Sequence, residues 1–393
     1  MQSLPLLLLC WFSAPAPLPQ DPCLKCRHQG VLPCDDHVDV PREEEEPSAL
    51  TPVLNCSWAA NCQKCGGTTW MDCPKCPSGE RTKEIEEKRV HIRAWLESGQ
   101  LEHKLGRAVP RIETKRFALV VDVIDLPVDD KRKKMMSGHV LAHQMARDCE
   151  HAAALVAEHY AIADMDFRAK MRMWLWPTLE KHQEAQQHFQ RTISAGDFRV
   201  YGRDPCFSVW TEPKNFDTVP KVRTLFVHNA THLLLSNAFQ PSWVGDIGGG
   251  WLDAGLGAWY EYELFGRVKN YCTEESSGLQ DYEGGLWRAA VRRRLEREKE
   301  PFLPGLLQER TGQLAPDENA LCWSFYDYLL AAHPGVVRKL MIELKQKKPA
   351  REVLPKELGM SLFAAEDAWR AWVGENYPLQ GDDPKAPAKG KKR

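Results

Sequence analysis

Hydrophobic residues gather along this chain in two ways, and the difference sketches its elements. Short apolar runs rich in β-branched and aromatic residues, at Phe117–Ile124, Lys170–Trp176, Phe198–Tyr201 and Phe207–Trp210, predict strands; Pro177 stops the second. Longer stretches repeat their apolar residues at helical spacing. One runs from His139 to Tyr160, with Leu141, Ala152, Leu155 and Val156 among its apolar positions. Pro220 opens another, where a missing amide proton is harmless, and it continues through the apolar stretch Val222–Leu235. Trp251–Glu261 predicts a third helix. Beyond Phe265 the pattern is largely helical: Arg288–Glu300 is charged, Ala320–Ala332 and Gly335–Leu344 are amphipathic, and Leu358–Val373 closes the domain. Upstream, Arg81–Leu105 is charged but carries Ile85, Ile92 and Leu96 on one face, which predicts a connecting helix lying on the main domain. A small sheet followed by helices is an α+β arrangement.

Composition narrows the function. A length of 393 residues accommodates one domain of enzyme size plus a smaller module. Lys+Arg 52 against Asp+Glu 54 leaves a net charge of -2, which gives no reason to expect nucleic acid as a partner. The first twenty residues read as a secretory signal, although no Lys or Arg precedes Leu4: the apolar core is too short for a bilayer and small residues follow it. That places the mature protein outside the cytoplasm, periplasmic or secreted. No other stretch is long and apolar enough for a membrane span. The end of the chain, Pro384–Arg393, is basic and expected to be disordered.

Eight of the thirteen cysteines lie between Cys23 and Cys76. They form the pairs Cys23/Cys26, Cys62/Cys65 and Cys73/Cys76, and Cys34 makes a fourth pair with His37. Two residues between donors lets a tight turn present both to one ion, so four pairs can complete two tetrahedral zinc sites. Disulfides are the competing reading for an exported protein. Cys56 is a spare thiol that could stand in for His37. Over about 55 residues the pattern resembles the cysteine-rich zinc region of DnaJ-type chaperones, with incomplete glycines. Between the two halves, Arg42–Pro47 is an acidic, solvated insertion.

The apolar helix around residue 230 carries His228 and His232 four residues apart, hence on one face, where both can bind one zinc. Zinc peptidases place a Glu after the first histidine as general base. Asn229 stands there, and an amide can position a water without deprotonating it. Four phrases together resemble a gluzincin-type metallopeptidase domain: His228-x-x-x-His232-Leu-Leu, Trp251-Leu-x-x-Gly255-Leu-x-x-Trp259-Tyr260-Glu261, Ser324–Leu330, and the closing Leu-Gly-Met-Ser-Leu with Trp369-Arg-Ala-Trp372. The resemblance implies a zincin-like fold whose edge strand can pair with an extended peptide, and two zinc ligands at His228 and His232. It puts the third-ligand glutamate at Ala254. Asp246, in a competing frame set by Trp243, and Asp253, one residue away, are alternative ligands; Glu261, on the same helical face, is a more distant one.

The expected organisation is a signal over residues 1–20, a zinc-knuckle module over 21–80, a connecting helix over 81–110, a gluzincin-like domain over 111–376 and a tail over 377–393. General acid–base catalysis contributes about 10²–10⁴ in rate. A site lacking the base at 229 and a ligand at 254 therefore points to an inactive, metallopeptidase-like protein that binds a peptide or protein. The alternatives are a zinc metallopeptidase with an unusual ligand and base, and a redox or client-binding role centred on the cysteine module.

Overall fold

Side-chain alternation in the strands fixes how the central sheet is covered. The computed structural model describes residues 23–37, 53–76, 78–202, 204–211, 216–272 and 282–380. The expected signal, the acidic insertion and the tail beyond residue 380 lie outside these residues; Tyr377, the expected start of the tail, is instead buried in the core, its hydroxyl donating to Asp327 Oδ2 at 2.9 Å.

The cysteine-rich segment holds β1 (Val31–Pro33), β2 (Asn55–Cys56) and β3 (Trp70–Asp72), with β1 antiparallel to β3. The helix expected over 81–105 is two: α1 (Thr82–Glu97) and α2 (Gln100–Leu105), interrupted at Ser98–Gly99. Next come β4 (Arg111–Glu113), β5 (Phe117–Val121), the hairpin β6 (Asp125–Pro127) and β7 (Met135–Ser137), and α3 (Gly138–His159). The chain continues through β8 (Met171–Trp176), α4 (Leu179–Gln190), β9 (Phe198–Val200), β10 (Cys206–Trp210), α5 (Val219–Ala238) and α6 (Gly250–Phe265). The last stretch is helical: α7 (Trp287–Arg297), α8 (Leu303–Leu306), α9 (Pro316–Ala332), α10 (Val336–Lys345), α11 (Ala350–Leu358) and α12 (Leu362–Asn376). The closing segment is two helices because Gly359 turns left-handed at φ 68° and Ser361 starts a new N-terminus, its Oγ accepting from Ala364 N. The protein is a mixed α+β fold.

Six strands make one mixed sheet in the order β2-β4-β5-β8-β10-β9. Its centre, β5-β8-β10, is parallel, and the outer pairings are antiparallel. Both faces of the parallel core are covered, so these strands carry apolar residues on both faces, broken only by Arg172 in β8 and Ser208 in β10. Phe117, Leu119, Met171, Met173, Leu175, Phe207 and Val209 join the large core formed with α3, α5 and the C-terminal helices. Val120, Trp174, Trp176, Cys206 and Trp210 point the other way, against α2 and α4. Strand β2 comes from inside the cysteine-rich segment yet pairs with β4, Asn55 opposite Glu113 and Cys56 opposite Ile112. That segment is thus built into one edge of the main sheet, and β9 forms the other. Among the described residues no helix is long and apolar enough to cross a membrane.

Candidate metal centres

Helix α5 is buried almost all round, as its apolar sequence requires, and His228 and His232 face inward from consecutive turns. Two features of α6 bring it against them. At Gly255, a Cβ would lie 2.6 Å from the carbonyl oxygen of Cys322 on α9, so glycine permits the close crossing of α6 and α9. At Gly257, a Cβ would lie 2.9 Å from both His228 Cε1 and His232 Nε2, so glycine leaves room for the two imidazoles. Helix α6 ends at left-handed Gly266 and the chain turns back. Glu261 secures that return by accepting from the backbone N–H groups of Lys269 and Asn270. The return places Cys272 over the histidine pair.

Cys272 Sγ lies 3.0 Å from His228 Nε2 and 3.2 Å from His232 Nε2. The three donor atoms lie within 4.8 Å of one another, and all three residues are buried. On the far side of each ring stands a carboxylate: Asp253 Oδ1 is 2.9 Å from His232 Nδ1, and Glu261 Oε2 is 3.3 Å from His228 Nδ1. Asp253 is held in turn by Trp243 Nε1–H at 2.9 Å and the Thr311 hydroxyl at 3.0 Å. Carboxylates behind both Nδ1 atoms favour the proton there and leave the Nε2 lone pairs facing the sulfur. One thiol has one hydrogen for two such lone pairs. A cation among the three satisfies all of them, so the donor set suits a metal.

The electrostatics agree. Burial pushes the Cys272 thiol up, but the His228 and His232 imidazoles beside it bring it down to about 5. Burial disfavours a charged His228, yet Cys272 and Glu261 carry it up to about 10. Burial raises Glu261, against the pull of His228, whereas Asp253 stays below the usual carboxylate range because His232 outweighs its burial. Metal-free, the pocket is a thiolate–imidazolium pair; a divalent ion takes the place of the shared proton. A tetrahedral ion with bonds of about 2.3 Å to sulfur and 2.0–2.1 Å to nitrogen needs S···N edges of about 3.6 Å. The two separations here, 3.0 and 3.2 Å, are about half an ångström short of that edge.

The residues named from sequence take different places around this pocket. Asp253 is committed to orienting His232. Asp246 is exposed and is not among the converging donors. Ala254 is packed in the core. Asn229 bends back onto its own helix, Nδ2 donating to Leu225 O at 2.9 Å, and its buried Oδ1 has no partner among the described residues. Cys272 escapes sequence reasoning, because it lies beyond the helix and in no motif. The available signal was an isolated cysteine within 40 residues of a histidine pair that lacked a third donor.

No family model matches this chain, and no curated protein is similar to it. The case for metal at these sites therefore rests on donor geometry.

The cysteine-rich segment makes two nested clusters. Its outer pairs combine as Cys23, Cys26, Cys73 and Cys76, and its inner ones as Cys34, His37, Cys62 and Cys65. The antiparallel pairing of β1 with β3 carries the first knuckle to the fourth. The sulfurs of Cys23 and Cys73 are 3.9 Å apart, those of Cys26 and Cys76 3.3 Å, and those of Cys34 and Cys62 3.9 Å. Four thiolates around one tetrahedral ion stand about 3.8 Å apart, whereas a disulfide is about 2.0 Å long. His37 Nδ1 is 3.4 Å from Cys34 Sγ and 3.8 Å from Cys65 Sγ, close to the expected S···N edge. Either group can hold a metal ion. Cys56 stands apart from both, in β2.

Proposed function

We propose that this is an exported, zincin-like pseudopeptidase that binds an extended peptide or protein segment without cleaving it. Zinc fills both knuckles as a structural ion, in a module of DnaJ type, and a third zinc sits between His228, His232 and Cys272. One observation carries the reading. Both carboxylates beside the histidine pair are engaged with imidazole Nδ1 atoms, and position 229 holds an amide. Zinc there would polarise whatever occupies its remaining position, but among the described residues no uncommitted carboxylate stands beside the histidine pair to take the proton from a water. Support for peptide binding comes from β9, the outer strand of the sheet. Its Arg199 guanidinium lies 5.7 Å from the Trp243 ring centre, and Tyr201 just beyond it stacks on the same ring, which donates to Asp253.

The alternative, an active zinc metallopeptidase with an unusual third ligand, gains its ligand from Cys272 and still wants a base. Tyr201, stacked on the Trp243 ring that holds Asp253, has a buried hydroxyl without a partner among the described residues. Burial pushes that phenol far above neutrality. It can donate a hydrogen bond but cannot serve as base at neutral pH.

The test uses the full chain with zinc. No hydrolysis of casein or a peptide library is expected above the level of His228→Gln, while calorimetry detects peptide binding that Arg199→Ala weakens. Turnover that requires zinc and vanishes in His228→Gln would overturn the reading; so would the absence of peptide binding.

A further inference from the structure

The structure assigns a further metal site to Cys56, His139 and His143, where the cysteine-rich segment meets the main domain. His139 and His143 lie four residues apart on α3, the same spacing as the pair on α5, with ring centres 5.0 Å apart. Cys56 reaches them from the opposite side, from the two-residue edge strand β2. Its Sγ is 3.4 Å from His139 Nε2 and 3.8 Å from His143 Nε2. These values bracket the edge of about 3.6 Å set by a tetrahedral ion with one thiolate and two imidazoles. The three donor atoms lie within 4.8 Å of one another.

A packed core does not account for this arrangement. Both Nε2 atoms converge on one sulfur, and a thiol has a single hydrogen to share between them. Cys56 and His143 are buried, and Trp58 lies flat over His139 at 5.4 Å with planes 6° apart, while the His37 ring stands edge-on to it at 6.1 Å. The site is thus walled by aromatic rings from the cysteine-rich segment, and an ion is what lets two buried donors and the half-buried His139 meet. Thiolate plus imidazole selects a borderline-soft divalent cation, zinc in the first place, with water or an exogenous group completing the tetrahedron.

The consequence is mechanical. Strand β2 forms only two residue pairs with β4, supported by Asn55 Nδ2 donating to Glu113 Oε2 at 2.9 Å. An ion held by Cys56 and two α3 imidazoles clamps that short strand to the helix beneath the sheet. It fixes the knuckle module to the main domain independently of the ions inside the module.

The experiment uses full-length protein purified without immobilised-metal chromatography. Crystals measured on both sides of the zinc absorption edge are expected to show an anomalous peak bonded to Cys56, His139 and His143. In solution, the double variant Cys56→Ser/His143→Gln is expected to lose one metal equivalent per chain and to keep those of the knuckles. His228→Gln removes a different equivalent, so failure here and failure of the proposed function are distinguished. Should the double variant not fold, His139→Gln with the wild-type anomalous map decides the matter. Peaks at the knuckles with none at Cys56, or variants with unchanged metal content, would overturn the assignment.

Discussion

Replacing Glu261 by Gln asks whether the carboxylate behind His228 tunes a metal site or merely fills space. Glu261 is fully buried; its two oxygens accept from the backbone N–H groups of Lys269 and Asn270, and Oε2 also stands 3.3 Å from His228 Nδ1 as an ion-pair contact. An amide of the same shape has one accepting oxygen, so its NH₂ faces at least one of these donors whichever way it is turned. Leaving a buried donor unpaired costs about 1–3 kcal/mol. That cost falls on the returning segment that carries Cys272 and on the tautomer of His228 together. Loss of the partner behind a ligating imidazole typically lowers metal affinity by about 10–100-fold, or roughly 1.4–2.7 kcal/mol. The assay is transfer of metal from the full chain to a chromophoric chelator. It follows the one equivalent that His228→Gln lacks. That equivalent is expected to leave Glu261→Gln at about 10–100-fold lower chelator concentration, with the knuckle ions unmoved. Unchanged retention of that equivalent, in a variant with wild-type circular dichroism, would refute the orienting role. It would leave Glu261 as an anchor of the loop alone.

Other substitutions read different parts of the structure. Gly255→Ala brings a Cβ within 2.6 Å of the Cys322 carbonyl and forces α6 from α9; chemical denaturation is expected to show a loss of about 1–3 kcal/mol despite alanine's higher helix propensity, and equal stability would contradict the close crossing. Gly257→Ala pushes on both imidazoles and is expected to lose the metal at His228, His232 and Cys272 while keeping the knuckle ions, as read by metal analysis. His182, buried between the Ser208 hydroxyl and the Gly196 carbonyl, is held neutral by burial, with its pKa lowered from 6.5 to about 4. The unfolded chain takes up a proton below about pH 6.5 that the folded one refuses until about pH 4. Stability is thus full above that window and falls as pH drops through it, by about 3 kcal/mol in all, a limb that His182→Gln should flatten. Chelation of the native protein is expected to free nine thiols for a thiol reagent: four from the first knuckle cluster, three from the second, and Cys56 and Cys272 from the two sites on the main domain. Thiols that appear only on reduction would instead show disulfides.

Much of this protein is legible in its sequence because many of its decisions are local. A Cys-x-x-Cys turn presents two sulfurs to one point whatever surrounds it, and histidines four apart share a helix face by helical geometry alone. The strand runs at 117, 170 and 207 are predominantly apolar because both faces of a parallel core are covered, and their bounds lie within three residues of the observed β5, β8 and β10. The absence of a base at Asn229 is likewise a fact of sequence, since no packing makes an amide a proton acceptor at neutral pH.

The completion of each donor set was decided by tertiary structure. Cys272 becomes the third donor only because α6 stops at Gly266 and Glu261 draws the chain back. Asp253, one residue from the expected ligand position, instead orients His232, a matter of how α6 is rotated against α5. Cys56 lies 83 residues from His139 in the chain and meets it through the pairing of β2 with β4. Spacing along the chain fixes where two side chains point when they share one turn of one element. Between elements, their meeting depends on crossing distance, helix rotation and loop path, which arise from packing the whole core and leave no local mark in the sequence.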